Sequence, residues 1–188
     1  FALCVSFSAP LYAFTGLKGL TISLYGPTGG GKTMCMIKDS LDFLDACDRG
    51  IGVVVAPRIL LAEQLSAEFL EFHTDVAVMH VHSGETHHFS STKPSVIRHW
   101  SQQAYRKQLI FTTYHSLPRL QEADINVDYI YFDEAHNSVQ RNFFPATEHF
   151  AADSNRCYFF TATPKHSLTV SKPGMNDVEV YGKVICNV

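Results

Sequence analysis

The run Gly26-Pro27-Thr28-Gly29-Gly30-Gly31-Lys32-Thr33 constrains this chain more than any other feature. It matches GxxxxGK[ST] and lies between an apolar stretch, Leu20 to Tyr25, and a stretch with helical spacing, Lys32 to Ala46. Strand, glycine-rich turn and helix is the setting in which this pattern cradles phosphates. Glycines let successive backbone N–H groups converge on phosphate oxygens with no Cβ in the way. The helix directs its positive end at them, and Lys32 adds a formal charge near the β and γ oxygens. Thr33 offers a hydroxyl to Mg²⁺. A glycine-rich turn without a ligand requires neither Lys nor Thr in those places, so the run reads as a nucleoside triphosphate site.

Short apolar runs alternate with helical stretches along the rest of the chain. Leu20 to Tyr25, Gly52 to Ala56, Val76 to Val81, Gln108 to Thr112, Tyr129 to Phe132 and Cys157 to Phe160 read as strands buried on both faces. Helices are expected over Lys32 to Ala46 and Arg58 to Phe72, the second placing Leu61, Leu65, Phe69 and Phe72 on one side. The alternation predicts an α/β fold, a mostly parallel sheet with helices on both faces. The chain of 188 residues is long enough for one such core without disulfides or structural metal. Its five cysteines, Cys4, Cys35, Cys47, Cys157 and Cys186, are scattered without metal-ligand spacing, as in a reducing compartment. Pro10 and Gly16 interrupt the apolar start and no basic segment precedes it, so neither a signal peptide nor a membrane span is expected. The chain begins with Phe, which suggests a fragment.

A second motif decides between kinds of nucleotide enzyme. Tyr129-Ile130-Tyr131-Phe132 runs into Asp133-Glu134-Ala135-His136, which puts two carboxylates at the C-terminal tip of a buried strand, the edge where open α/β sheets bind ligands. Asp133 is placed to hold Mg²⁺, and Glu134 to orient or deprotonate an attacking water. Adjacent carboxylates repel, and a divalent cation neutralises one of them. Two acids fit hydrolysis better than transfer to a metabolite.

The order of motifs resembles superfamily-2 helicases. GPTGGGKT, Val55-Ala56-Pro57-Arg58, Phe111-Thr112-Thr113-Tyr114-His115-Ser116-Leu117, DEAH at 133 to 136 and Thr161-Ala162-Thr163-Pro164 follow one another as they do in the first RecA-like domain of that family. The branch with the motor subunits of type I and type III restriction enzymes is especially similar. The likeness covers roughly residues 20 to 188 and leaves 1 to 19 as an N-terminal segment of open role. It implies a RecA-like P-loop NTPase that uses ATP and Mg²⁺. Lys32 and Thr33 resemble motif I, Asp133, Glu134 and His136 motif II, and Thr161 and Thr163 motif III, which in the family couples nucleotide state to nucleic-acid binding. His136 would be the hydrogen-bonding coupler. Pro57 and Arg58 resemble motif Ia, and Thr112 and Thr113 a strand-end element; both grip a nucleic-acid backbone in the family. His82-Ser83-Gly84 is a less close echo of a small-residue turn. Contacts of this local kind reconcile nucleic-acid binding with a net charge of -3.

The resemblance implies DNA more than RNA as partner, a second RecA-like lobe in the parent chain, no membrane, and a cytoplasmic setting in a bacterial or phage-infected cell. Two departures qualify it. The first Gln is Gln64, so no Gln precedes the P-loop to read adenine; stacking by Tyr12 or Phe14 is one substitute. None of the 24 residues after Pro164 is Arg, whereas the family's second lobe supplies arginine fingers, worth about 10³ to 10⁵ in rate. The isolated chain should bind nucleotide and hydrolyse it slowly, and residues 178 to 182 resemble the last strand before that lobe. Alternatives are the motor of a restriction endonuclease, a single-lobe ATP-binding regulatory module and, least of all, a small-molecule kinase. Residues 85 to 107 read most simply as a polar loop and a helix from about Ser95 with Trp100 in the core; the alternative is a nucleic-acid contact of cations and rings. Clustered histidines at 80, 82, 87 and 88 do not match a zinc spacing.

Overall fold

The computed structural model describes residues 20–25, 31–103, 107–154, 156–169 and 172–187. Eight strands form one sheet: β1 (Leu20–Tyr25), β2 (Gly50–Ala56), β3 (Ala77–Val81), β4 (Phe89–Ser90), β5 (Lys107–Thr113), β6 (Tyr129–Phe132), β7 (Arg156–Thr161) and β8 (Lys183–Asn187). Their spatial order is β4-β3-β5-β2-β6-β7-β1-β8, and every pair is parallel. A wholly parallel sheet places every strand's C-terminal end on one edge, so the segments that follow β2, β5, β6 and β7 share that edge. This is the expected RecA-like architecture.

The central strands β2 and β6 are buried because both faces are covered. All seven residues of β2 and all four of β6 are buried. Side chains alternate across the sheet with period two. Val54, Leu109, Phe111, Tyr129, Tyr131, Tyr158 and Phe160 meet helices α1 (Lys32–Ala46) and α2 (Ile59–Leu70) on one face. Val53, Val55, Ile110, Ile130, Phe132 and Phe159 belong to the other cluster, packed by α3 (Pro94–Ser101), α4 (Leu117–Ala123), α5 (Phe144–Asp153) and the short α6 (Val178–Tyr181). Gly52 is fixed by close approach, since a Cβ there would lie 2.2 Å from the Tyr129 ring. Among the described residues no helix is long and apolar enough to cross a membrane.

One expected element is corrected. Residues 178 to 182 read as a strand, yet Val178–Tyr181 is a helical turn and the strand follows at Lys183–Asn187. Asp177 caps the turn by accepting from the Glu179 N–H at 3.0 Å, and Gly182, at φ 64, breaks it before β8. The alternation of Val178, Glu179 and Val180 suggested a strand, but the capping residue and the burial of Val180 and Tyr181 decide for a turn.

Residues 85 to 107 follow the structural reading. Trp100 is buried in α3, Arg98 donates to the Ala123 carbonyl at 2.7 Å and Lys107 pairs with Asp45 at 3.2 Å, while residues 104–106 lie outside the described residues.

Candidate active site

Chemistry gathers where α1 starts and where β6 ends. Gly31 adopts φ 78 and ψ 16, and from it the chain turns directly into α1 with Lys32 and Thr33 in the first turn. That left-handed conformation is natural to glycine and strained for other residues. The first turn of this helix holds no acid, an arrangement compatible with an anionic ligand. Residues 26–30 of the glycine run, with the segment 1–19 including Tyr12 and Phe14, lie outside the described residues.

β6 runs between β2 and β7, and its C-terminal tip carries Asp133 and Glu134. The Asp133 N–H continues the ladder to Val55 O at 2.9 Å, after which the chain leaves the sheet. Glu134 sits at φ 44 and ψ 53, a left-handed conformation that costs a side-chain-bearing residue about 1–2 kcal/mol. The turn is held from outside: the Tyr114 hydroxyl donates to the Asp133 carbonyl at 2.8 Å, and Asn137 Nδ2 donates to the Glu134 carbonyl at 2.9 Å. Burial pushes the Asp133 carboxyl up to about 6, and the Glu134 charge adds to the rise. The Glu134 backbone N–H and the Lys32 ammonium oppose it. Lys32 and the acid pair therefore share one electrostatic field, although they stand a hundred residues apart in the chain. A half-buried acid pair with one lysine charge beside it is chemically suited to a divalent cation, which would replace the proton that burial favours on Asp133.

His136 joins this tip to the end of β7. Its Nδ1 lies 3.0 Å from Thr161 Oγ1, 3.4 Å from Thr163 Oγ1 and 3.4 Å from Glu134 Oε2. Asn137 Nδ2 lies 3.4 Å from Nε2, so a ring with its proton on Nδ1 satisfies both sides. Thr161 Oγ1 also accepts the Thr163 N–H at 3.2 Å. Burial lowers the His136 pKa, Glu134 opposes the shift and Lys165 adds to it, so the imidazole is neutral at pH 7. The structure thus joins Asp133, Glu134, His136, Thr161 and Thr163 through contacts, and Lys32 acts on Asp133 through its charge.

The remaining candidates occupy neighbouring loops on the same edge. Pro57 and Arg58 follow β2, with Arg58 exposed at the start of α2. Thr112 is fully buried and donates its hydroxyl to Val81 O at 2.9 Å, so that hydroxyl ties β5 to β3 instead of facing solvent. Thr113 is also buried and donates to Ser116 Oγ at 3.3 Å, which leaves Ser116 as the more open hydroxyl of the element. Sequence reasoning assigned no role to Tyr114 or Asn137, which hold the acidic turn. Tyr114 lies inside one of the family-like motifs, but nothing in its neighbours reveals where its hydroxyl points.

A second group of ionisable side chains lies at the end of β3. His80 Nδ1, His82 Nε2 and Glu63 Oε1 lie within 2.8 to 3.0 Å of one another. Three such atoms are suggestive of a metal site. The hydrogen bonds argue for a closed network instead: the Gly84 N–H points at His82 Nδ1 at 3.2 Å, which requires a lone pair there and puts the neutral ring's proton on Nε2. That proton faces Glu63, and His80 Nε2 is completed by Ser66 Oγ at 3.0 Å.

The chain matches the family described as "Type III restriction enzyme, res subunit" over residues 16–166. No curated protein matches it significantly. Among solved structures it is similar to a nuclease-deletion mutant of the Type ISP restriction-modification enzyme LlaGI in complex with a DNA substrate mimic. There the TM-score is 0.76 at 21% identity, over 95% of this chain and 19% of that one. The ATP-dependent Type ISP enzyme LlaBIII, bound to DNA, gives 0.77 at 20% identity over 95% and 14% of the two chains. The UvsW helicase of bacteriophage T4 gives 0.60 at 14% identity over 89% and 54%. The chain spans less than a fifth of the length of either restriction enzyme. These likenesses share the fold described above, and the match over residues 16–166 fixes the family: the chain belongs to the type III restriction enzyme res-subunit family.

Proposed function

We propose that this chain is the first motor domain of an ATP-dependent helicase or translocase that moves on nucleic acid, DNA in preference to RNA. The observation that carries the reading is the Asp133–Glu134 pair at the C-terminal tip of β6, with burial raising the Asp133 carboxyl pKa and Lys32 lowering it, and with His136 bridging the tip to Thr161 at the end of β7. In this reading the run from Gly26 to Thr33 cradles the triphosphate, with Lys32 facing the β and γ oxygens. Thr33 and Asp133 would hold Mg²⁺, which when bound would offset charge on the transferring phosphoryl group. Glu134 orients the attacking water and accepts its proton, and the rest of catalysis is positioning and electrostatics. His136, Thr161 and Thr163 relay nucleotide state to the edge where Pro57, Arg58 and the strand end at Thr112 and Thr113 meet the phosphate backbone. With its hydroxyl turned inward to Val81, Thr112 shapes that strand end.

A second RecA-like lobe of the parent protein would complete the cleft. Family membership and the DNA-bound state of LlaGI and LlaBIII favour, as a closely related reading, the motor of a restriction enzyme in which ATP drives movement and another domain cuts. The test is ATP hydrolysis by the natural full-length protein, with and without single-stranded DNA, double-stranded DNA or RNA. Stimulation by a DNA form supports the motor and names its track. ATP binding with no stimulation by any polymer replaces it with a regulatory module. Glu134→Gln should retain ATP binding and lose turnover; unchanged turnover would remove Glu134 from its role.

A further inference from the structure

Tyr114 lies just past the end of β5, and its side chain touches the acidic turn. Its ring is completely buried and packs near Phe132 and Phe143, with centroids at 6.0 and 5.6 Å. Its N–H donates to Ala56 O at 3.2 Å, which anchors its backbone to the end of β2. Ring and backbone are thus placed by packing independently of the hydroxyl. That hydroxyl donates to the Asp133 carbonyl, at the peptide that joins the two carboxylates. Burial keeps the phenol protonated, so it remains a donor.

The turn needs such a contact. Glu134 is held at positive φ, and a strained residue persists only where its surroundings over-determine it. The turn is also bonded to β2 through Val55, to Asn137, three residues on, and within itself from the Glu134 N–H to the Asp133 carboxyl, with His136 Nδ1 3.4 Å from Glu134 Oε2. Tyr114 alone among these reaches it from the strand end of β5, between Thr113 and Ser116. We propose that Tyr114 is a positioning residue for the Mg²⁺–nucleotide site: its hydroxyl fixes the Asp133–Glu134 peptide and so aims both carboxylates. This rests on the ATP-binding reading above and adds to it a residue outside the phosphate and acid motifs.

The test compares this chain with its Tyr114→Phe and Tyr181→Phe variants. The control is matched in burial: Tyr181 is also fully buried, and its hydroxyl meets Ser138 Oγ at 2.9 Å. Binding of a fluorescent ATP analogue is measured in EDTA and across a Mg²⁺ titration, together with Tm. Tyr114→Phe should need about tenfold more Mg²⁺ for half-saturation, the scale expected for one lost hydrogen bond, with binding in EDTA unchanged. Tyr181→Phe should lower Tm comparably and leave the Mg²⁺ midpoint in place. A midpoint within about twofold of the parent, an equal shift in both variants, or a Tyr114→Phe chain that does not fold while Tyr181→Phe does would overturn the proposal and leave Tyr114 a stability residue. If the unaltered chain binds no Mg²⁺–nucleotide, the ATP-binding reading itself fails, an outcome distinct from each of these.

Discussion

The ends of β6 and β3 both carry ionisable side chains, and they differ in how their charges are answered. At β3, His80, His82, Glu63, Ser66 and the Gly84 N–H form a network in which each ring nitrogen has a partner. At β6, two carboxylates sit side by side on a strained turn, and burial raises the Asp133 carboxyl to about 6. A satisfied cluster holds elements together, here α2 to β3. A cluster of like charges works against its own fold, and at β6 the proposed Mg²⁺–nucleotide ligand would relieve it.

The largest effect that would break this contrast is at Lys32. Lys32→Ala should weaken ATP binding by roughly a hundredfold or more, because it removes the formal positive charge opposite the phosphates. Equilibrium binding to a fluorescent analogue measures this, and a change below threefold would take Lys32 out of the site. Next is Asp133→Asn. Removing one of two adjacent half-buried charges should raise the Tm of the ligand-free chain by a few degrees while Mg²⁺-dependent nucleotide binding disappears. A lowered Tm would mean that Asp133 is structural, like the β3 cluster.

The β3 cluster should respond to pH in the manner of a structural network. Burial lowers the His80 pKa to about 4; Glu63 opposes the shift, while His88 and His82 add to it. The unfolded chain takes up this proton near 6.5 and the folded chain only near 4, so stability is full above 6.5 and falls as pH drops between those values. Replacing His80 with Phe should flatten that section of the Tm–pH profile; a profile of unchanged slope would assign the loss elsewhere. Smallest is the response to zinc: equimolar Zn²⁺ should shift Tm by less than about 1 °C. A rise of several degrees that vanishes in His82→Ala would reopen the metal reading of Glu63, His80 and His82.

Much of this contrast was legible in the residues. β1, β6 and α1 begin and end where their residue patterns predict, because a parallel strand reads as a continuous hydrophobic run and the helix starts directly after the left-handed Gly31. α2 is shorter than its pattern by one residue at the start and two at the end, since the chain turns at Glu71. α4 and α5 gave weaker signals. Each carries a proline in its first turn, and α5 opens on aromatic and β-branched residues of low helix propensity, so tertiary packing decides them. β4 pairs only two residues, too few for any periodicity. Of the site, Asp133, Glu134 and His136 were readable from their place after an apolar strand. The inward hydroxyl of Thr112 and the reach of Tyr114 to Asp133 were not, because both depend on strands that meet only in the folded sheet.

The most direct measurement is a Mg²⁺ titration of ATP-analogue binding by the chain and by Asp133→Asn. The account predicts that Mg²⁺ strengthens binding to the parent chain, and that the variant retains the weaker Mg²⁺-free binding without responding to the ion. Equal Mg²⁺ dependence in both chains, or no nucleotide binding by the parent, would contradict it.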